Sequence, residues 1–321
     1  MKRLAILTSG GDAPGMNAAV RAVLNKATNH GIEVVGIKYG ILGLICSNFV
    51  ELDQETVDNA IATGGTILFS SRLPEFEQRE VQEKALQNLR EANIDALIMI
   101  GGDGSYYGAL GLAKLGFPVI CIPATIDNDV PGTEMCIGFD TAINTVMSSL
   151  DKIRDTANSH VRAFIIEIRG LKAGDLALWS GVAGGAEYIV IPEEKVDIQD
   201  LVAKMRASID RGKKHCLIVL SEGVMKAAEL SKQIKEIYPE AHTRAVELGY
   251  VPRGGSPTPY DRVLASKMAS IAVDLFLEEN FGTCVAMQKE RLVVLDLQET
   301  MAKKETFTDL SLYPLNQTIS F

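Results

Sequence analysis

Short, nearly unbroken apolar runs alternate along this chain with segments whose apolar residues recur every three or four positions. The runs occupy residues 4–8, 32–38, 94–100, 118–122, 162–168, 188–191, 215–220 and 244–248. Runs this short and this apolar, bounded by Gly and Pro, read as buried strands of parallel sheets. The periodic segments predict helices over 16–29, 80–91, 106–115, 176–182, 198–209, 224–237 and 260–277. The clearest helical pattern runs over 139–155, where Phe139, Ala142, Ile143, Val146, Leu150 and Ile153 share one face. Strand–helix repetition implies α/β architecture, with parallel sheets covered by helices on both faces.

The chain has 321 residues, more than one hydrophobic core usually serves, so two domains are expected. No low-complexity linker or internal repeat marks the boundary, and the long helix at 139–155 is the candidate hinge element. A net charge of −9 argues against a nucleic-acid surface but not against an anionic ligand, because clustered cations can outweigh the global charge. Cys46, Cys121, Cys136, Cys216 and Cys284 show no CxxC spacing and are odd in number, as expected of reduced thiols. The apolar stretch after the basic start is too short for a signal peptide. No run approaches membrane-spanning length, and a cytoplasmic protein without membrane contact is expected.

Charged residues gather just past the predicted strands. Asp12, Asp103, Asp127, Arg169, Glu222 and Arg253 all follow strand-like segments, whereas chance would scatter charge over both sheet ends. Open α/β sheets bind ligands at strand C-termini. Gly101-Gly102-Asp103-Gly104-Ser105 can turn backbone N–H groups toward phosphate oxygens at a helix start. Asp103 can hold Mg²⁺ beside those phosphates, and Asp127, in Thr125-Ile126-Asp127-Asn128-Asp129, can take a proton from an attacking hydroxyl. Each segment alone is also good turn chemistry. Both at consecutive strand ends point to phosphoryl transfer. GxxxxGK[ST] is absent, as is the protein-kinase set, and the nearest GxGxxG fails at Tyr107.

Residues 7–17, reading Leu-Thr-Ser-Gly-Gly-Asp-Ala-Pro-Gly-Met-Asn, resemble the N-terminal signature of bacterial 6-phosphofructokinases. So do 100–105, 125–129, Asp-Lys-Ile-Arg-Asp-Thr at 151–156, and Arg-Gly-Gly-Ser-Pro-Thr at 253–258 with 261–266. The resemblance covers nearly the whole chain and fades after about residue 290. It implies two doubly wound Rossmann-like lobes with the active site in the cleft between them. The nucleotide-binding lobe is expected over 1–138 plus 252–302, and the sugar-phosphate lobe over 139–251 plus 303–321.

It further implies that Gly11, Arg72, Leu73, Gly102, Asp103, Gly104 and Ser105 bind ATP, with Asp103 on Mg²⁺. Asp127 is the implied general base toward the sugar 1-hydroxyl, with Thr125 beside the transferring phosphoryl. Ile126, Arg162, Arg169, Gly170, Leu171, Glu222, Arg244, Tyr250 and Arg253 complete the implied fructose 6-phosphate set. Arg162, Arg244 and Arg253 would hold the 6-phosphate. Arg162 and Arg244 come from a neighbouring subunit in the family, usually within a homotetramer, although each also opens a strand, where a solvated arginine is common. Glu222 could instead cap the helix that follows it. An effector site for ADP or phosphoenolpyruvate is implied at Arg21, Arg154, Gly185, Glu187, Arg211, Lys213 and His215. Asn25 and Gln54 stand where better-known members carry arginine.

The chain departs from the family at several site positions. The usual Met-Gly-Arg is Arg169-Gly170-Leu171, His-x-Gln-Arg is Tyr250-Val251-Pro252-Arg253, and Pro-Gly-Thr-Ile-Asp is Pro123-Ala124-Thr125-Ile126-Asp127. Leu171, Tyr250 and Pro252 keep open a catalytically weak paralogue that binds sugar phosphates and regulates a partner. A pyrophosphate-dependent enzyme is the other alternative. In that branch Asp typically replaces Gly104 and Lys replaces Ala124, so both residues here favour ATP.

Overall fold

The computed structural model describes residues 2–160, 162–304 and 306–320. The chain forms two compact units, Met1–Thr141 with Arg253–Phe307, and Ala142–Pro252 with Thr308–Phe321.

The first unit opens with β1 (Arg3–Ser9), α1 (Met16–Asn29), β2 (Glu33–Ile37), α2 (Gly40–Ile45), β3 (Phe49–Glu51) and α3 (Gln54–Asn59). It continues with α4 (Arg79–Glu91), β4 (Ala96–Gly101), α5 (Asp103–Lys114) and β5 (Val119–Pro123). Helix α6 (Phe139–His160) then carries the chain into the second unit, built on β6 (Ala163–Ile168), α7 (Asp175–Ala183), β7 (Tyr188–Val190), α8 (Ile198–Asp210), β8 (Cys216–Ser221), α9 (Ala227–Ile237) and β9 (Thr243–Glu247). The chain returns to the first unit with α10 (Pro259–Leu277), β10 (Thr283–Gln288), β11 (Arg291–Asp296) and α11 (Leu297–Lys303), and ends in the second with α12 (Leu312–Ile319).

The first sheet runs β11-β10-β5-β4-β1-β2-β3. Strands β1, β2, β4, β5 and β10 are parallel, whereas β3 and β11 join the two edges antiparallel. The expected parallel sheet thus gains two antiparallel edges that the pattern did not reveal: β3 has three residues and β11 is half-exposed, so neither carries the solid apolar signal of the centre. Chain order reverses between β1 and β4, the switch point at which doubly wound sheets bind ligands. Every residue of β4 and β5 is buried. Leu97, Met99, Val119 and Cys121 from these strands join Phe76, Leu89, Tyr106 and Leu112 in one apolar core cluster.

Two helix starts differ from expectation for identifiable reasons. Helix α5 begins at Asp103 and not Tyr106, so the Asp-Gly-Ser segment is its first turn, with Gly102 as N-cap. Helix α9 begins at Ala227 and not Val224. The buried Glu167 carboxylate on β6 accepts the Ala227 N–H (2.8 Å) and the Lys226 ammonium (2.6 Å), and so sets where the helix starts. Glu222 therefore caps no helix. The second sheet, β7-β8-β6-β9, is parallel throughout.

Back in the first unit, buried Asp261 on α10 accepts the backbone N–H of Gly138 (2.9 Å) and of Thr141 (2.8 Å), and the Thr141 hydroxyl (2.5 Å). It thereby fixes the entry to α6. The β10–β11 hairpin closes on Lys289 and Glu290, at φ 50° and 61°. A two-residue turn left-handed at both positions is type I′, which favours Asn-Gly. Replacing both residues (Lys289→Asn with Glu290→Gly) is expected to raise the thermal midpoint by about 2–4 °C, because Lys and Glu carry left-handed strain there that Asn tolerates and Gly lacks. Calorimetry checks it, and an unchanged or lowered midpoint would contradict the strain argument.

Candidate active site

At the switch point the ends of β1 and β4 press together. A Cβ at Gly101 would stand 2.6 Å from the Ser9 carbonyl and would collide with the Ser105 side chain, so only glycine fits. The Ser105 hydroxyl is buried without a hydrogen-bond partner, a donor available to an anion at the α5 N-terminus. Nothing lies within 4 Å of a Cβ built at Gly104, so protein packing does not require glycine there. Gly11 is different. A Cβ there would lie 2.6 Å from Arg253 Nη1, because the guanidinium rests on the loop and reaches Asp12 at 3.6 Å. Ser70 Oγ donates to the Gly10 carbonyl (2.6 Å), which brings the segment bearing exposed Arg72 and half-buried Leu73 to this strand end.

The two sequence motifs meet here. Ala124 N donates to Gly101 O (3.0 Å), and a Cβ on Gly102 would touch Thr125 at 3.6 Å. Thr125 Oγ1 accepts the Asp127 N–H (3.1 Å), and Ile126 and Asp127 are both buried. Asp103 is exposed on the first turn of α5. Asp129, to which the sequence reading assigned no role, joins them. Burial first, and then the charges of Asp127 and Asp103, push its carboxyl up to about 6. Its signal was available: two carboxylates spaced by one residue, straight after a buried strand. Among the described residues no group of three or more His, Cys, Asp or Glu side chains is arranged to hold a metal. The mutual repulsion of Asp103, Asp127 and Asp129 nevertheless fits a cation held by one or two carboxylates plus phosphate and water, the usual manner of Mg²⁺.

In the second unit, Arg169 and Glu222 follow adjacent strands β6 and β8. The Arg169 guanidinium lies 3.7 Å from the Glu222 carboxylate and 5.4 Å from the centre of the Tyr250 ring. Arg169 Nε and Glu222 Oε1 are buried with no hydrogen-bond partner. Gly170 lies under this pair in left-handed conformation (φ 154°), where a Cβ would reach Ser221 Oγ at 3.1 Å. Leu171 is exposed and brings no charge. Arg162 and Arg244 sit at the other end of the same sheet: Arg162 precedes β6, and Arg244 pairs with Phe164 in register and donates to Thr243 O (3.1 Å). Strand β6 has six residues, so that end is about 20 Å from Arg169.

The sequence model of one family, described as phosphofructokinase, matches residues 3–276. The chain belongs to the phosphofructokinase family. It is 54% identical over its whole length to the full-length ATP-dependent 6-phosphofructokinase of Enterococcus faecalis. It is 52% identical, again end to end, to that of Listeria monocytogenes. Among solved structures, phosphofructokinase from Saccharomyces cerevisiae matches with a TM-score of 0.88 and 30% identity over 100% of this chain. This chain spans 48% of that one's length.

Of the residues resembling the family's effector site, the second unit assembles most. Buried Glu187 receives the Lys213 ammonium at 2.6 Å and the Leu217 N–H at 2.5 Å, with His215 Nε2 at 3.6 Å. Arg154 donates to Gly184 O beside Gly185. Burial, reinforced by Arg154 and Lys213, pushes the His215 imidazole below its ordinary value against the pull of Glu187. Arg211 is exposed and bonds Ser208. Arg21 belongs to the first unit, where Asp58 pairs with it at 2.8 Å while Asn25 and Gln54 donate to the same carboxylate.

The raised Asp129 carboxyl makes a stability prediction. A group whose folded value lies above its ordinary 3.8 contributes stability that is full below that value and lost as pH rises through about 6. Asp129→Asn is therefore expected to stabilise the chelator-treated protein by about 1–3 kcal/mol at pH 8 and by roughly half as much at pH 5. Denaturant titrations at the two pH values check this. An equal gain at both would disprove the cause.

Proposed function

We propose that the chain transfers the γ-phosphoryl of ATP to the 1-hydroxyl of fructose 6-phosphate, giving fructose 1,6-bisphosphate. The observation that carries this reading is the approach of Thr125, which accepts the N–H of buried Asp127, to Gly102 at the start of α5. It sets a proton acceptor beside the N–H groups and hydroxyl that suit a polyphosphate. In the proposed mechanism Gly11, Arg72, Leu73 and Gly102 to Ser105 bind the nucleotide. The α5 N-terminus faces the phosphates with backbone N–H groups and its aligned dipole. Asp127 accepts the hydroxyl proton as the new P–O bond forms and the γ-phosphorus bond to the bridging oxygen breaks, releasing ADP, and Thr125 holds the Asp127 backbone in place. Asp103 and Asp129 would hold the Mg²⁺ that arrives with ATP, which would supply charge neutralisation on the phosphates.

On the sugar side, Glu222 and Arg169 each bring a buried, unpartnered polar atom that a polyhydroxyl phosphate can satisfy. Leu171 leaves the transferring phosphoryl without the arginine usual in the family. Arg169 is already engaged by Glu222 and Tyr250, which supports a role in orienting the sugar over one in stabilising the phosphoryl. Arg162 and Arg244 lie at the far sheet end of their own unit. That placement supports their service to a neighbouring subunit's 6-phosphate in a homotetramer. Arg253, on the Gly11–Asp12 loop, is the third candidate for that phosphate. No helix among the described residues is long and apolar enough to cross a membrane. We take the enzyme to be cytoplasmic.

A coupled assay with fructose 6-phosphate and ATP, pyrophosphate or no donor tests the reading. ATP with Mg²⁺ is expected to support turnover and pyrophosphate essentially none, and the reverse would assign the other branch of the family. Asp127→Asn is expected to lower kcat by about 10²–10⁴ with a much smaller change in the KM for ATP. Near-normal turnover in the pure variant would remove Asp127 from the role of base.

Regulation by ADP or phosphoenolpyruvate is proposed to be weak. Asn25 and Gln54 bring no charge, and Arg21 is already neutralised by Asp58. Losing two hydrogen bonds to a charged ligand weakens binding by roughly 10²–10⁴-fold. Near-hyperbolic sugar-phosphate kinetics are expected, with little response to millimolar effector. Sigmoidal inhibition at sub-millimolar phosphoenolpyruvate would show that other cations compensate.

A further inference from the structure

We propose that Asn128 is a positioning residue for phosphoryl transfer: it fixes where the Asp127 carboxylate stands by clamping the loop that bears it to the chain at 134–136. The inference rests on the functional reading above. Asn128 is 4% exposed and left-handed at φ 53°. Its Nδ2 donates to the Glu134 carbonyl (3.0 Å), and its Oδ1 accepts the Cys136 N–H (2.9 Å). One side chain thus closes the loop 124–137, whose two ends already pair through Thr125 N to Ile137 O (3.1 Å) and Ile137 N to Pro123 O (3.1 Å).

The far side of that loop is anchored in turn to the β10–β11 hairpin. Glu134 N donates to Met287 O (2.8 Å), Met287 N to Thr133 Oγ1 (2.9 Å), Gln288 Nε2 to Gly132 O (2.9 Å) and Lys289 N to Glu134 Oε2 (2.7 Å). The rigidity of an antiparallel hairpin at the sheet edge therefore reaches the base through a single amide.

The chemistry required at this position is narrow. The residue must donate once, accept once, tolerate a left-handed backbone and carry no charge beside Asp127 and Asp129. Aspartate fails on donation and charge, glycine on both hydrogen bonds, and alanine on all but charge. Asparagine meets every condition, being the non-glycine residue most at ease in that conformation.

A mutant cycle with Asp127 separates positioning from plain loosening. Asn128→Gly keeps the backbone conformation and removes both hydrogen bonds. In an otherwise native chain it is expected to lower kcat by about 10–10²-fold, the usual effect of an ångström-scale misplacement, with both KM values within about threefold. In the Asp127→Asn background the same change is expected to cost less than about threefold, because no base remains to be misplaced. An equal loss in both backgrounds, a rise of both KM values in step with the loss, or a kcat within about threefold of the parent would each overturn the assignment. If Asn128→Gly does not fold, as judged by calorimetry, the cycle is run with Asn128→Ser, which adds no charge and whose shorter side chain replaces the amide, and the same outcomes decide. Absence of turnover by the unmodified protein with any donor would overturn the functional reading itself. Turnover with an additive cycle would overturn only the role of Asn128.

Discussion

The approach of two strand ends governs the rest of the site. Where β1 and β4 finish side by side, Gly101 admits no Cβ against the Ser9 carbonyl. That closeness lets α5 start at once, so that Asp103 and Ser105 become its first turn and not a detached loop. It also brings the Gly101 carbonyl within reach of Ala124 N, which aligns the end of β5 and the loop carrying Thr125, Asp127 and Asp129. A larger residue at 101 would separate the anion-binding turn from the carboxylates. The sheet order places this junction where successive connections turn to opposite sides, so loops diverge and leave the strand ends open.

Electrostatics in this unit depend on proximity and not on the overall balance of charge. The chain is acidic, with a net charge of −9, and burial, with the charges of Asp127 and Asp103 added, lifts Asp129 to about 6. An anionic substrate approaches such a place only with a cation between, or with backbone dipoles and guanidinium groups nearby. The α5 N-terminus, exposed Arg72, and Arg253 over Gly11 answer that need locally. Asp58 shows the same principle acting the other way: one carboxylate silences Arg21 and engages both neighbouring amides.

Much of this was legible in the amino-acid order, and the parts that were not share a physical reason. Buried central strands announce themselves as solid apolar runs, so β1, β4, β5, β6 and β8 and the residues just past them were readable. Edge strands are different. Half-exposed β11 mixes apolar and charged residues, and β3 is too short for any period to show. The start of α9 was hidden because its cap, Glu167, comes from a distant strand and not from the preceding residues. Asn128 lay inside a motif already singled out, yet its importance comes from carbonyl and amide partners after a turn, whereas Asp129 beside it carried a legible signal in its spacing from Asp127. The Arg253 contact with Gly11 joins positions that only the returning chain brings together.

That return has a consequence for how the molecule can be made. Each unit is interrupted by the other in the chain, since residues 142–252 of the second lie between the two segments of the first, and the second closes only with residues 308–321. A chain emerging from the ribosome as far as Pro252 holds β1, β4 and β5, but not the Asp261 side chain that receives Gly138 and Thr141, nor the β10 strand that covers β5. It equally holds the second sheet entire without α12, which packs against α7. Neither unit can be cut out as one continuous fragment: the first needs the chain as far as Phe307, and the second needs it to the end. Assembly is therefore tied to about the last fifth of translation: a stop between Arg253 and Phe307 leaves both units unfinished, and a later one leaves only the second incomplete.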